Sequence, residues 1–170
     1  MNNLQNLIVD IVALSGGRLV GRTRMQKTAY LLDAKGMNSG AAYYYYNFGP
    51  FSDEVADGIS DSKFVGSLVE KIDYRKVDGS PFSIFESGKP ADQVETLGDL
   101  KRNEATSLLN RLASANSTVL ELAATIHWLI FVEKVADWRA ELKRRKGAKV
   151  DGGRMDKAAD LLMHLGFSIV

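Results

Sequence analysis

The chain has 170 residues, 45% hydrophobic and 25% charged, with a net charge of +1 and no cysteine. That length is one ordinary domain, able to bury about two-thirds of the surface its unfolded chain exposes without a covalent staple. The missing cysteine excludes disulfides, thiolate zinc sites and cysteine nucleophiles, and the near-neutral charge excludes a protein whose whole surface attracts nucleic acid.

A helix is predicted over residues 3–14, where Leu4, Leu7, Ile8, Ile11 and Val12 repeat at helical spacing, and Ser15-Gly16-Gly17 ends it. A second helix is predicted from Thr23, as its cap, to Ala34, with Met25, Ala29 and Leu32 on one face. Residues 42–48 are aromatic and bounded by breakers, which predicts a short strand. Pro50 cannot donate to a ladder, and Ser52 is placed to cap a third helix that fades near Asp61.

Leu68, Glu70, Ile72 and Tyr74 alternate with polar or smaller residues. With Phe82-Ser83-Ile84-Phe85 they predict a β-hairpin across the turn at 77–81. Residues 89–93 read as a loop. From Leu97 onward the pattern is helical, with Leu100, Leu108, Leu109 and Leu112 on one helix.

Thr118 and Glu121 stand at capping-box spacing, opening a core helix over 118–134 that is apolar nearly all round. Val135 to Lys146 is amphipathic and increasingly basic. A last helix over 154–165 places Met155, Ala158, Ala159, Leu162 and Leu165 inward. The expected architecture is α+β and predominantly α, a single domain over 1–170. Residues 1–90 form a winged-helix-like half with a hairpin, packed against a helical half at 91–170.

The N-terminus lacks the basic and apolar regions of a signal peptide. The longest apolar run, residues 123–132, is about half the length of a membrane span. A cytoplasmic location with no membrane partner is therefore expected.

Few residues suggest chemistry. Asp160 and His164 are four apart on one helix, but two ligands do not make a metal site. His127 lies within an apolar helix. No phosphate loop and no Ser-His-acid context is present. No cofactor, no metal and no catalysis are expected.

Two basic groups remain. Arg18, Arg22, Arg24 and Lys27 cluster at the start of the second helix, and Lys143-Arg144-Arg145-Lys146 is the densest basic segment. Either is a phosphate contact or an ordinary solvated face. Of the four tyrosines at 43–46, at most two share a face of a strand.

The residues Gly21-Arg22-Thr23-Arg24-Met25-Gln26-Lys27 through Leu32, then Phe48-Gly49-Pro50-Phe51-Ser52-Asp53-Glu54-Val55, resemble a bacterial and archaeal family of YwgA-type proteins. More distantly they resemble the SocA-type (Panacea) antitoxin domain. The shared features are the glutamine-lysine helix, the aromatic strand and the Gly-Pro turn. The segment Leu120-Glu121-Leu122-Ala123-Ala124-Thr125-Ile126 and the final helix also look like the YwgA pattern.

The resemblance implies a non-catalytic cytoplasmic protein and, on the antitoxin side, neutralisation of a toxin by direct binding. The expected function is a protein-interaction module of antitoxin or defence-regulator type. It would bind a partner protein through Arg22, Arg24, Lys27, Tyr44, Tyr46, Gly49, Pro50 and Phe51. The alternative is a winged-helix nucleic-acid-binding regulator, as a monomer or a homodimer, using Arg75, Lys76, Lys143, Arg144, Arg145 and Lys146. Lys63, Lys71 and the 22–27 patch would add phosphate contacts, while Asp53, Glu54, Asp57 and Asp61 oppose DNA readout by the third helix.

Overall fold

A computed structural model of the chain describes residues 3–170. The fold is α+β and predominantly helical. Its elements are α1 (Leu4–Leu14), β1 (Arg18–Val20), α2 (Arg22–Ala34), β2 (Tyr44–Tyr46), β3 (Gly49–Phe51), α3 (Asp53–Phe64), β4 (Val69–Tyr74) and β5 (Pro81–Glu86). They continue with β6 (Thr96–Leu97), β7 (Leu100–Lys101), α4 (Arg102–Ser114), α5 (Ser117–His127), α6 (Trp138–Lys146) and α7 (Arg154–His164).

The first helix and third helix start where side chains can satisfy free backbone donors. Asn3 accepts from the Asn6 amide at 3.2 Å, and Ser52 accepts from the Val55 amide at 3.2 Å. Asp53 and Glu54 then stand in the first turn of α3, where the helix dipole favours acids. That helix runs past Asp61 to Phe64.

β4 and β5 form the expected hairpin, with Glu70 opposite Phe85 and Tyr74 opposite Pro81. β1 is an additional strand that hydropathy did not reveal, because three residues are too few to show alternation. It pairs antiparallel with β5, Leu19 opposite Phe85, and gives a sheet of order β1-β5-β4. Phe85 is fully buried beneath this sheet, while Ile72, Tyr74 and Val77 at its outer end are exposed.

Four expectations need correction. Leu97 and Leu100 are not on a helix: they face each other across the β6–β7 hairpin. A spacing of three fits one helical turn and a tight hairpin equally, and the hairpin prevails at Gly98. There φ is +58 and a Cβ would collide with the carbonyl oxygen of Met37. α5 is capped by Asn116, whose Oδ1 accepts from the amides of Thr118 and Val119, so Thr118 and Glu121 form no capping box. The helix gives way at His127 to a wider π turn over Trp128–Val132. α2 begins after Gly21 and has no side-chain cap, so Thr23 lies inside the helix.

α5 is the centre of the molecule. Every residue from Val119 to His127 is buried, and the helix packs against α2, α6, α7 and β3. One hydrophobic cluster joins both halves of the chain, from Ile8, Ile11 and Val12 of α1 to Leu162 of α7.

At the end of α5, His127 packs edge-on to Tyr30, with ring centroids 5.2 Å apart, and beside Phe131 and Phe167. Burial pushes the imidazole down to about 4, so the ring is neutral near pH 7. Burial also pushes the Tyr30 phenol up, so its hydroxyl keeps the proton. The neutral ring and the phenol share a hydrogen bond between Tyr30 Oη and His127 Nδ1 at 2.7 Å.

Because the folded-state pKa lies below the unfolded one, the unfolded chain binds the extra proton first. Stability associated with His127 is full above pH 6.5 and is lost as pH falls towards about 4. Urea unfolding of the wild type and His127→Gln at pH 7 and pH 4.5 tests this. The variant's stability deficit is expected at pH 7 and should shrink markedly in acid.

Candidate interaction site

The glutamine-lysine pair of α2 is structural. Gln26 Nε2 donates to the Ser52 carbonyl at 3.0 Å, and the Ser52 amide donates to Gln26 Oε1 at 2.9 Å. The side-chain amide thus imitates a strand partner for the residue that caps α3. Lys27 Nζ donates to the Pro50 carbonyl at 2.7 Å. Both side chains are buried, and together they fix the chain on either side of Phe51.

This clamp sets the β2–β3 hairpin against α5. Tyr45 pairs with Pro50 and Tyr46 with Gly49. Pro50 fits because the strand has only one neighbour and its carbonyl faces Lys27 instead of a further strand. Gly49 has φ +99, and a Cβ on it would stand 2.7 Å from Thr125 Oγ1. No side chain fits between the turn and α5.

Strand alternation then sorts the tyrosines. Tyr43 turns inward, stacks edge-on to Tyr30 and donates to Asp33 at 2.7 Å. Tyr45 lies half-buried beneath Arg145, whose guanidinium is 4.7 Å from the ring centroid. Tyr44 and Tyr46 face solvent at 42% and 51% exposure, with Tyr44 edge-on to both Tyr46 and Phe51. Phe48, at the hairpin tip, is as exposed as Tyr46.

Beneath this aromatic face lies a pocket of about 230 Å³, formed mainly by Thr23, Gln26, Tyr46, Phe48, Phe51 and Ile59. It lies where α2, α3 and the hairpin meet. Arg22 lines one side of it, and outside the lining the ammonium of Lys149 sits 5.1 Å from the Phe48 ring centroid. On the far side Tyr44 donates to Asp53 at 3.1 Å.

The structure divides the expected partner-binding set. Arg22, Tyr44 and Tyr46 are exposed, and Arg24 and Phe51 are partly exposed. Lys27, Gly49 and Pro50 are buried and form no docking surface, because the clamp and the close approach to Thr125 consume them. Arg24 also points elsewhere, donating to the Leu112 carbonyl at 2.8 Å. Sequence reasoning left Phe48 and Ile59 out of the site; the Phe-Gly-Pro turn marked the first, and no local pattern marked the second.

The basic segment 143–146 is largely spent within the fold. Arg144 pairs with Glu141, Arg145 with Glu141 and Glu133, and Lys146 lies 3.6 Å from Glu121. Arg75 and Lys76 sit on the exposed turn between β4 and β5. Lys63 and Lys71 pair with Glu70 and Glu86. Asp160 and His164 lie exposed on α7, and no group of three or more metal-ligating residues gathers among the described residues. Among the same residues no helix is long and apolar enough to cross a membrane.

Behind the hairpin, the buried Glu121 carboxylate pairs with Lys146 and Lys149 and acts electrostatically on Lys27. Glu121 accepts from Lys149 at 3.0 and 3.1 Å. Burial pushes the Lys27 ammonium down to about 8, Lys146 adds to the shift, and Glu121 opposes it. No protein-family model matches the chain, and no curated protein matches it.

Removing the Gln26 amide leaves the buried Ser52 N–H unpaired, while the Ser52 carbonyl keeps the Ala56 amide at 3.2 Å. Gln26→Ala should destabilise by about 1–3 kcal/mol for the orphaned donor, read as a lowered urea midpoint. For Lys27 the folded-state pKa lies below the unfolded value of 10.5. The cost of burying its charge is therefore full below about pH 8 and is relieved as pH rises towards 10.5. Lys27→Met should lack that alkaline gain, which paired unfolding curves at pH 7.5 and pH 10 would show.

Proposed function

We propose that the chain is a non-catalytic protein-interaction module that docks a partner protein on the aromatic hairpin. The observation that carries this reading is the exposed set Tyr44, Tyr46 and Phe48 above an apolar pocket of about 230 Å³. Large exposed aromatics around a preformed apolar recess are what binding hot spots use. The backbone beneath them is held by the Gln26–Lys27 clamp, so little ordering entropy remains to be lost on docking.

The occupant this site suits is a partner segment with an apolar anchor for the pocket, flanked by acidic groups facing Arg22 and Lys149. The resemblance to the YwgA-type and SocA-type families supports an antitoxin or defence-regulator role in the cytoplasm, with a toxin as partner. Neutralisation would then be by direct contact.

A second reading, a winged-helix nucleic-acid binder, draws on α1, α2 and α3 standing beside a sheet of order β1-β5-β4. Its weakness is α3: Asp53, Glu54, Asp57 and Asp61 are all exposed on that helix and repel a phosphate backbone.

The test is co-expression with the product of the neighbouring gene, followed by calorimetric titration of the purified pair. Tyr46→Ala with Phe48→Ala should weaken binding by about thirtyfold or more, as loss of a hot spot of about 2 kcal/mol requires. Val77→Ala, at the far end of the β4–β5 hairpin, should leave binding unchanged. A double variant that binds as tightly as the wild type would remove the proposed surface.

A further inference from the structure

A second recess lies between the two halves of the chain, adjoining the pocket under the aromatic face at Arg22 and Thr23. It has a volume of about 610 Å³ and is bounded by the β1–α2 junction, the β4–β5 turn, the start of β5, the start of α5, and Lys149. Arg22, Arg24, Arg75 and Lys149 line it, and Glu121 is its one acidic lining residue.

Two of these cations, Arg22 and Lys149, are held in place by carboxylates that are each 5% exposed. Glu70 accepts from Arg22 at 2.6 and 2.9 Å, from Lys63 at 2.7 Å and from Ser83 at 2.7 Å. Burial pushes the Glu70 carboxyl up, but hydrogen bonds from Arg22, Lys63 and Ser83 outweigh that and hold it near about 2. Glu121 serves Lys149 and Lys146 in the same way. Each buried acid therefore anchors two cations, and among the described residues Arg24 and Arg75 have no acidic side chain bonded to them. The recess keeps an excess of fixed positive charge.

Its other lining groups have matching chemistry. The hydroxyls of Thr23, Ser117 and Thr118 line the recess and take no protein partner among the described residues. Gly21 brings no side chain to the start of α2, which leaves that first turn open to an acceptor. Val20, Pro81 and Phe82 add an apolar wall.

We propose that this recess binds a phosphate ester of a nucleotide, with Arg24, Arg75 and Lys149 on the phosphate and Phe82 against the base. Guanidinium forks match phosphate oxygens in geometry, hydroxyls donate to the same oxygens, and an aromatic face stacks any base. The apolar wall is what favours a nucleotide over a bare inorganic anion. The phosphate has two sources, a free nucleotide or a short single strand. The acidic face of α3 is not part of the recess, so its repulsion of duplex DNA does not oppose this ligand.

The full chain would be titrated with ATP and with a fluorescein-labelled single-stranded octanucleotide, using inorganic phosphate as competitor. At about 50 mM salt at least one nucleotide probe should bind tighter than inorganic phosphate. For the strand, three phosphate contacts predict a salt slope of about −2, and Arg75→Gln should reduce that slope by about 0.7.

Phe82→Ala should weaken the bound probe by about fivefold or more. Arg75→Glu with Ser117→Glu should abolish binding. Both positions are exposed, and an acid at the first turn of α5 favours the helix, so circular dichroism should show an unchanged fold. Binding of ATP alone assigns a free nucleotide, and binding of the strand alone assigns a strand. Absence of binding by both probes, or undiminished binding by the double variant, overturns the proposal.

Discussion

The grip of α2 on the chain between Pro50 and Ser52 is the constraint from which the rest of this molecule follows. Gln26 and Lys27 are consecutive on a helix, so their side chains diverge by about 100°. Both are nevertheless buried, because α2 is enclosed by α3 and the hairpin on one side and α5 on the other. Gln26 satisfies the backbone of Ser52, and Ser52 in turn starts α3. Lys27 holds Pro50, and the turn before it presses on Thr125 so closely that only glycine fits. Two adjacent polar side chains thus position a helix start, a hairpin and the aromatic face that the hairpin displays.

Charge in this fold is organised around buried acids. Glu70 and Glu121 each anchor cations drawn from distant parts of the chain: Arg22 and Lys63 on the first, Lys146 and Lys149 on the second. A cation fixed in this way contributes to a local field without losing rotamer entropy again on binding. The overall charge of +1 conceals this local order. Most of the densest basic run is neutralised inside the fold, whereas a recess with no continuous basic sequence keeps an excess of positive charge.

Much of the fold was legible because its signals are local. The Leu and Ile spacing of α1, the Ser52 cap and the alternation of β4 and β5 each need only a few neighbouring residues to be read. The alternation of the tyrosines was equally legible, and it sent Tyr44 and Tyr46 outward and Tyr43 inward. What stayed hidden depends on contacts across the chain. β1 exists because β5 is beside it, and Leu97 and Leu100 form a hairpin because Met37 occupies the space a Gly98 side chain would need. Glu121 has the spacing of a capping residue but is claimed by Lys149, 28 positions later.

By itself the sequence determined a predominantly helical α+β chain, the boundaries of most of its helices, and the importance of the Gln-Lys and Gly-Pro pairs. It could not say whether those pairs face a partner or the protein's own backbone, since a lysine code letter carries charge but not burial. The tertiary structure decided that Lys27, Gly49 and Pro50 are buried, while Tyr44, Tyr46 and Phe48 are exposed. The physical reason is that propensity and periodicity act over a few residues, whereas burial and pairing are properties of surfaces assembled from distant segments.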